Sequence, residues 1–333
     1  MSSGPTDPFS GRPPALVALR AAGLGDLLTA VPALHALRDA FPKHRRYLAT
    51  SASYAPLVEL IGGYELLDVA GRSQLPDIED LDVAVNLHGS GPQSHRALLA
   101  LHPRALVAFA SPGAFDNGPP WQRDEHEVHR WCRLLDNVGI AADPTRLGIK
   151  VPLDDRRLGG DDVTIVHPGA ASPARRWPPD RFAAVCRAER ALGRRVLITG
   201  TKSELRAARR VAIDGGVSRD AVLAGTLPLR ELVALIGRAG RVVCGDSGIA
   251  HLATATGTPS VVLFGPTSPA CWGPPADRPQ HVSLWTGHRG DPHGMHCDPG
   301  LLELTVDDVC SALAQLPCRP WHAGADLMRR SAS

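Results

Sequence analysis

The sequence lacks the features that mark several broad classes of protein. Its seven cysteines are scattered, odd in number and never spaced as Cys-x-x-Cys, so they indicate neither a disulfide framework nor a classical zinc site and favour a reducing cytoplasm. The formal net charge is only +2, which predicts no nucleic-acid partner. No uninterrupted apolar run approaches the roughly 20 residues of a membrane span, so any membrane contact would be peripheral.

The length and the local composition predict two domains. At 333 residues the chain is too long for one ordinary hydrophobic core. Residues 1–12 are rich in Ser, Gly and Pro and lack the apolar core of a signal peptide, so a disordered tail is predicted there. Around 143–160 the pattern dissolves into Pro, Asp, Gly and Arg, as in an interdomain linker. We therefore predict domains at 13–155 and 156–320 and a second tail at 321–333.

Short apolar runs and helical patterns alternate along both halves. In the first half, strands are predicted at 15–20, 46–50, 81–87 and 105–109, with helices at 26–40 and 125–138. In the second half, strands are predicted at 163–167, 196–199, 221–224, 242–244 and 260–264, with helices beginning near 179, 202, 228 and 247 and a closing helix at 306–316. This alternation predicts an α/β fold with parallel sheets, whose ligands bind where the strands end.

The first candidate site segment is Gly-Leu-Gly-Asp at 23–26, between the first strand and the first helix. Gly23 and Gly25 would let a ligand approach the backbone closely, and Asp26 would begin the helix beside it. A dinucleotide-binding fingerprint is an alternative, although Leu28 occupies the position of its third glycine. Asp26 could also be an ordinary first-turn carboxylate, favoured by the helix dipole alone.

The second segment is His-Pro-Gly-Ala at 167–170, followed by Arg175 and Arg176 before Trp177. Two guanidinium groups close to a helix start offer planar forks and N–H groups to a diphosphate. The alternative interpretation is a solvated basic loop, with Trp177 as a packing anchor.

The third segment runs from Asp246 through Ser247 and Gly248 to His251, and Phe-Gly-Pro-Thr follows at 264–267. Asp246 ends a predicted strand, and the next residues open a helix whose free N–H groups could hold an anion. Asp246 could instead be simply the N-cap of that helix.

Taken together, the three segments resemble glycosyltransferase family 9, the ADP-heptose:lipopolysaccharide heptosyltransferases, in their order along the chain and in their residues. The resemblance covers about residues 16–274. It implies an α/β fold of GT-B type, with two Rossmann-like domains facing each other across a cleft. It also implies a glycosyltransferase that moves a heptose or related sugar from an ADP-sugar donor to an acceptor hydroxyl or amine, by metal-independent inverting displacement.

The resemblance assigns roles residue by residue. Asp26 would be the general base that takes the proton from the acceptor, with Gly23 and Gly25 beside it on the acceptor side of the cleft. Domain closure would bring Asp26 to a donor bound by the other domain. The implied donor-binding residues are Arg175, Arg176, Glu204, Asp246, Ser247, Gly248 and His251. Among them, Arg175 replaces the family's usual lysine with a planar fork, and Glu204 matches the acidic residue expected at the ribose.

Three other functions remain open. A nicotinamide dehydrogenase would explain the glycine-rich first turn but would leave the third segment unused. A non-catalytic ADP-sugar binding protein would explain every donor-side motif. A different nucleotide-linked hexose could be transferred to a secondary metabolite instead of a lipid-linked glycan, since Lys43, Arg45 and Arg46 are the only tight basic group in the first half.

Two further features receive structural or negative predictions. Residues 280–300 are predicted to be a loop, and the stretch from His293 to Cys297 has plausible metal-ligand types but no standard spacing. No metal or other cofactor is therefore predicted, and the ADP-sugar is treated as a substrate. Aromatic residues make up only 5% of the chain, and the tryptophans are predicted to be packing anchors rather than a sugar platform; for Trp272, just after Phe-Gly-Pro-Thr, the alternative stays open.

Overall fold

The computed structural model describes residues 12–69, 74–152 and 159–317. Apart from Arg12, the predicted tails at 1–12 and 321–333 lie outside the described residues. The chain forms two compact units. The first contains the described parts of Met1–Ala22, Pro32–Arg123 and Arg130–Asp143, and the second those of Gly23–Val31, Asp124–His129 and Pro144–Ser333. The predicted domain limits at 155 and 156 stay a prediction.

The first unit contains a five-stranded parallel sheet. The strands are β1 (Ala15–Leu19), β2 (Arg45–Thr50), β3 (Glu65–Asp68), β4 (Leu81–Asn86) and β5 (Ala105–Val107). Their order in the sheet is β3-β2-β1-β4-β5. The helices in this half of the chain are α1 (Leu24–Thr29), α2 (Val31–Ala40), α3 (Ala55–Ile61), α4 (Gln93–Leu99) and α5 (Glu127–Asp136).

The second unit contains another five-stranded parallel sheet, in the order β10-β9-β8-β6-β7. Its strands are β6 (Gly160–His167), β7 (Arg195–Ile198), β8 (Ala239–Gly245), β9 (Ser260–Leu263) and β10 (His281–Leu284). The helices are α6 (Pro179–Ala191), α7 (Leu205–Gly215), α8 (Leu229–Arg238), α9 (Gly248–Thr256), α10 (Pro269–Trp272), α11 (Pro299–Glu303) and α12 (Val306–Gln315). Among the described residues, no helix has the length and apolar character needed to cross a membrane.

Burial explains why these strands read as apolar runs in the sequence. Every residue of β1 and of β8 is buried, as expected where helices cover both faces of a parallel sheet. In the second unit, Trp177 is 1% exposed and its indole N–H donates to the Leu304 carbonyl at 3.1 Å. Phe182 packs edge-on against that ring at 5.0 Å between centroids, so Trp177 is the packing anchor that its alternative interpretation proposed.

Three predicted elements differ from the structure. The predicted helix 26–40 is two helices, because Pro32 lacks the N–H that would continue the hydrogen-bond ladder from α1. The predicted strand 221–224 is wrong: only Val222 forms a parallel bridge, with Ile198, before the chain turns at Gly225, where φ is +73°. The predicted loop 280–300 contains β10, whose first residue pairs with Ser260 of β9.

The order of strands in each sheet reverses beside its first strand. This switch lies between β1 and β4 in the first unit and between β6 and β8 in the second. Open α/β sheets bind ligands at such a point, beyond the carboxyl ends of the strands. The second and third candidate segments follow β6 and β8 directly, so the fold places both at the switch point of the second unit.

Candidate active site

A cavity of about 380 Å³ lies on the second unit and is here named the Asp26 cavity. Its lining combines all three candidate segments with the loop that follows β10. It includes every predicted site residue except Arg176 and Glu204. The lining residues are Gly23, Leu24, Gly25, Asp26, Ala171, Arg175, Asp246, Ser247, Gly248, His251, Thr267, Trp272, Pro292 and His293.

Asp26 occupies the third position of α1 and is half-buried. One carboxylate oxygen accepts a hydrogen bond from the Gly23 backbone N–H at 3.0 Å, which closes the start of the helix. The Thr29 hydroxyl donates to the Asp26 carbonyl at 2.8 Å and fixes the same turn from the other side. The carboxylate is therefore oriented by its own helix while it lines the cavity.

Two glycines allow α1 to lie directly against α9. A Cβ on Gly25 would meet the His251 ring at 2.7 Å, and one on Gly248 would meet the Leu24 side chain at 2.8 Å. Contacts this short mean that a larger residue at either position would force the facing side chain or the backbone to move. The sequence placed Asp26 in the first domain, yet its helix belongs to the same compact unit as the donor-side residues.

Asp246 and Arg175 form an ion pair at the end of β8. A guanidinium nitrogen of Arg175 lies 3.6 Å from the Asp246 carboxylate and 3.5 Å from its carbonyl oxygen. Asp246 is only 5% exposed, and this burial raises the pKa of its carboxyl group. The positive charge of Arg175 and hydrogen bonds from Arg175 and Thr267 lower that pKa but do not fully offset the burial.

Two polar atoms at this end of β8, one in Arg175 itself and one in Ser247, lack a hydrogen-bonded nitrogen or oxygen partner among the described residues. The Nε of Arg175 is buried without a hydrogen bond to any described residue. The hydroxyl of Ser247 is buried and interacts only weakly, with the Cys244 thiol, in the described part of the chain. Ser247, not Asp246, is the N-cap residue of α9, and its side chain makes no capping hydrogen bond. Both groups therefore have hydrogen-bonding capacity at the start of α9 that the described residues do not fully use.

The loop after β10 supplies the part of the lining that the sequence did not predict. Gly294 accepts hydrogen bonds through its carbonyl from the Ala174 N–H and the Ser172 hydroxyl, both at 3.1 Å. The Gly290 N–H donates to the Pro266 carbonyl, also at 3.1 Å. These bonds fasten residues 290–294 to the second and third segments, so Pro292 and His293 line the cavity.

Arg176 and Glu204 do not line the cavity. Arg176 is exposed, and its Nε donates to the Ala170 carbonyl at 2.8 Å. Glu204 accepts from the N–H and hydroxyl of Thr201 at 2.7 and 2.8 Å, as a helix-capping residue does. Its carboxylate also lies 4.0 Å from the Nε2 of His167, whose pKa burial lowers to about 4. The proposed donor roles of Arg176 and Glu204 stay predictions.

The histidine-rich loop was the sequence's candidate for a metal site. Across 12–69, 74–152 and 159–317, no three His, Cys, Asp or Glu side chains converge where they could hold a metal ion. His288 instead pairs with Asp298 at 3.1 Å, and Asp298 caps α11 through the Gly300 N–H at 2.9 Å.

Two Rossmann-like units, each built on a five-stranded parallel sheet, are the architecture of the GT-B class of glycosyltransferases. The predicted fold class is thereby confirmed. Residues 117–295, more than half of the chain, match the sequence profile of glycosyltransferase family 9 (heptosyltransferase). The chain belongs to this family.

Individual relatives agree with that assignment. Lipooligosaccharide heptosyltransferase 2 of Haemophilus influenzae is 30% identical over 168 residues, which are 48% of each chain. The chain thus spans about half the length of the curated relatives it matches. The structure of Escherichia coli ADP-heptose lps heptosyltransferase II has a TM-score of 0.71 at 18% identity, covering 96% of this chain and 100% of that one.

A third similar structure is described as containing iron. The iron-containing dodecameric glycosyltransferase TibC of enterotoxigenic Escherichia coli has a TM-score of 0.59 at 16% identity, covering 97% of this chain and 78% of that one. At identities of 16–18%, these structural matches show a shared fold and nothing about metal content. The prediction that this chain needs no metal therefore stays a prediction.

Proposed function

We propose that the chain transfers a heptose or a related sugar from an ADP-sugar donor to an acceptor hydroxyl or amine, by a metal-independent inverting displacement. The observation that supports this most directly is the Asp26 cavity. It brings a carboxylate, a guanidinium group and an open helix start into one pocket of the second unit. A base for the acceptor and cations for a diphosphate leaving group are the two things that a direct displacement at an anomeric carbon requires.

The donor diphosphate would bind between Arg175 and the start of α9. The unpartnered Nε of Arg175 and the weakly engaged hydroxyl of Ser247 would each donate a hydrogen bond to a phosphate oxygen. The N–H groups of the first turn of α9 would add donors at the positive end of the helix dipole. As the bond to the sugar breaks, these groups would stabilise the charge that develops on the ADP.

Asp26 would act on the acceptor. Its carboxylate would take the proton from the attacking oxygen or nitrogen while that atom bonds to the anomeric carbon from the side opposite the ADP. One displacement inverts the anomeric configuration and needs no covalent enzyme intermediate. Because Gly23 and Thr29 already fix the turn that carries it, Asp26 would need little reorganisation for proton transfer.

A second cavity, of about 510 Å³ and here named the His88 cavity, is our candidate for the pocket that binds the acceptor. It lies on the first unit where β1 and β4 end, at that sheet's switch point. Asn86 supports its wall by accepting a hydrogen bond from the His88 N–H at 3.0 Å and donating to the Ser94 hydroxyl at 2.8 Å.

The lining of the His88 cavity favours one acceptor class. In the described part of the chain it contains aliphatic, Ser, Gln, Gly and His side chains, and no Asp, Glu, Lys or Arg. An uncharged pocket suits a neutral hydroxylated or aminated molecule better than a phosphorylated glycolipid. This observation favours the alternative that the acceptor is a small secondary metabolite. The predicted cytoplasmic location and absence of a nucleic-acid partner remain part of the proposal.

The test is titration calorimetry of the full chain with ADP, GDP, UDP and ADP-heptose. We expect selective binding of ADP and ADP-heptose, weakened about tenfold to a hundredfold by Arg175→Ala, because that change removes a charge-assisted fork. Arg176→Ala tests the donor role that the sequence predicted for that residue: because Arg176 does not line the cavity, we expect binding to stay nearly unchanged, which would reject that role. Equal binding of all three nucleotides would reject the adenine-linked donor.

Turnover is then measured in the presence of EDTA. ADP release is followed with neutral hydroxylated acceptors and with anionic glycolipids as separate sets. Tight binding of ADP-heptose without turnover on either set would favour the non-catalytic binding protein.

A further inference from the structure

Trp272 is a cavity residue to which the proposed function assigns no role. It ends α10, five residues after Thr267, and lines the Asp26 cavity while remaining half-buried. Its ring meets the His251 ring edge-on, with 6.0 Å between the centroids. A Cβ on Gly25 would meet the His251 ring at 2.7 Å, so His251 connects Trp272 to the turn that carries Asp26.

The other described tryptophans are committed to the protein itself. Trp177 and Trp285 each donate their indole N–H to a backbone carbonyl at 3.1 Å. Trp121 and Trp131 pack edge-on against each other with 6.0 Å between ring centroids, and each has an arginine guanidinium over its ring. Trp272 makes no hydrogen bond with any described residue and contacts a single aromatic ring. Its indole face therefore remains open to a ligand, whereas each of the other four side chains is engaged by protein groups.

The backbone around Trp272 is nevertheless held firmly. Ser268 caps α10 by accepting a hydrogen bond from the Ala270 N–H at 3.2 Å. A Cβ on Gly273 would come within 2.5 Å of the Pro269 carbonyl, so only glycine fits the turn that ends the helix. The Val128 N–H donates to Nδ1 of His126 at 3.2 Å, which leaves Nε2 to donate to the Gly273 carbonyl at 2.9 Å. An open aromatic ring on a fixed backbone is suited to binding rather than to filling space.

We propose that Trp272 is the platform on which the transferred sugar of the donor stacks. A sugar ring has C–H groups on its faces and hydroxyl groups at its rim, which match the apolar face and the single N–H donor of an indole. The phosphate-binding groups Arg175 and Ser247 lie at the other candidate segments, so a sugar attached to that diphosphate would extend toward Asp26 and Trp272. This inference depends on the proposed function and adds a residue that determines which sugar is accepted.

The experiment uses the full chain grown with 5-fluorotryptophan, which gives one ¹⁹F signal for each of the six tryptophans. Trp272→Phe identifies the signal of Trp272 by its disappearance. We expect saturating ADP-heptose to shift that signal and saturating ADP alone to leave it in place, because only the former contains the sugar. A residue with a merely structural role would respond to both ligands or to neither.

Calorimetry provides the second readout. Trp272→Ala should weaken binding of ADP-heptose about fivefold to tenfold while ADP affinity stays within about twofold of wild type. Trp272→Phe keeps an aromatic face, so its affinity for ADP-heptose should lie between those of wild type and Trp272→Ala. Trp121→Phe is the matched control, since Trp121 does not line the cavity, and it should bind both ligands as wild type does.

The outcomes separate this inference from the proposed function. If wild type binds ADP-heptose but the Trp272 signal does not move and Trp272→Ala binds it normally, the platform is rejected and the function stands. Equal weakening of ADP and ADP-heptose would also reject it, by showing a structural role. If wild type fails to bind ADP-heptose, the proposed donor is wrong and the platform fails with it.

Discussion

Asp26 and Asp246 line the same cavity but are held in opposite ways. Asp26 is half-buried and accepts a hydrogen bond from the Gly23 N–H within its own helix start. Asp246 is 5% exposed at the end of a buried strand, beside Arg175, and burial raises its pKa. Environment sets the role of a carboxylate: the accessible one suits proton transfer, whereas the buried one suits fixed positioning of a cation and of ligand hydroxyls.

The largest effect is expected from Asp26→Asn. The amide cannot take a proton from the acceptor, so kcat should fall by about 100-fold to 10,000-fold. Asparagine keeps an oxygen for the Gly23 N–H, and ADP affinity should therefore stay within about twofold of wild type. Initial rates and calorimetry measure the two quantities. Asp180→Asn, an exposed first-turn aspartate of α6, is the matched control; retention of turnover by Asp26→Asn would make Asp26 dispensable.

A smaller effect, on stability rather than on turnover, is expected from Asp246→Asn. The pKa of Asp246 is raised in the folded protein, so the folded state holds its proton more strongly than the unfolded state does. Ionisation of Asp246 therefore lowers the free energy of unfolding as the pH rises from 3.8, its ordinary pKa, through the raised value.

Asparagine does not ionise, and the variant should therefore be more stable than wild type at pH 8, with a higher melting temperature. The difference should shrink as the pH is lowered toward about 4, near the unfolded pKa of aspartate. Thermal melts across this range measure it, again with Asp180→Asn as control. Lower stability of Asp246→Asn at pH 8 would show that the ion pair with Arg175 outweighs the cost of burial.

The smallest effect is expected from Arg175→Lys. Lysine keeps the charge that pairs with Asp246 but replaces the planar fork with a single ammonium group. We expect the Kd for ADP to rise about threefold, well below the effect of alanine at the same position. Arg176→Lys tests the same exchange outside the cavity and should change the Kd for ADP very little. Similar losses in both variants would argue against a specific role for the fork.

The comparison also shows how far the sequence can predict the site. The segments around Asp26 and Asp246 were predictable because each follows a buried strand, and parallel strands end at one edge of a sheet. The partners of Asp246 were not, because Arg175, which pairs with it, and Thr267, which donates a hydrogen bond to it, are distant in the sequence. Adjacent side chains can also diverge: Arg175 lines the cavity, while Arg176 turns away to donate to the Ala170 carbonyl.

The fold, too, was predictable only where the local sequence pattern is strong. Long apolar strands such as β8 were predicted, whereas β10 has only four residues and lies within a Gly- and Pro-rich stretch. The loop that follows β10 reaches the cavity through hydrogen bonds to Ala174 and Pro266, contacts that no local pattern encodes. Sequence patterns therefore identified the strand ends that line the Asp26 cavity, but not the loop that completes its lining.

The glycine contact between α1 and α9 has a consequence for protein engineering. The helix that carries Asp26 comes early in the chain yet packs against a helix of the second unit through Gly25 and Gly248. A hybrid made by joining the first half of this chain to the second half of a relative near residue 155 would combine two helix surfaces that never evolved together. Chimeras of this chain should therefore carry residues 23–31 over with the second half, because Asp26 and the residues around Asp246 line one cavity of the second unit.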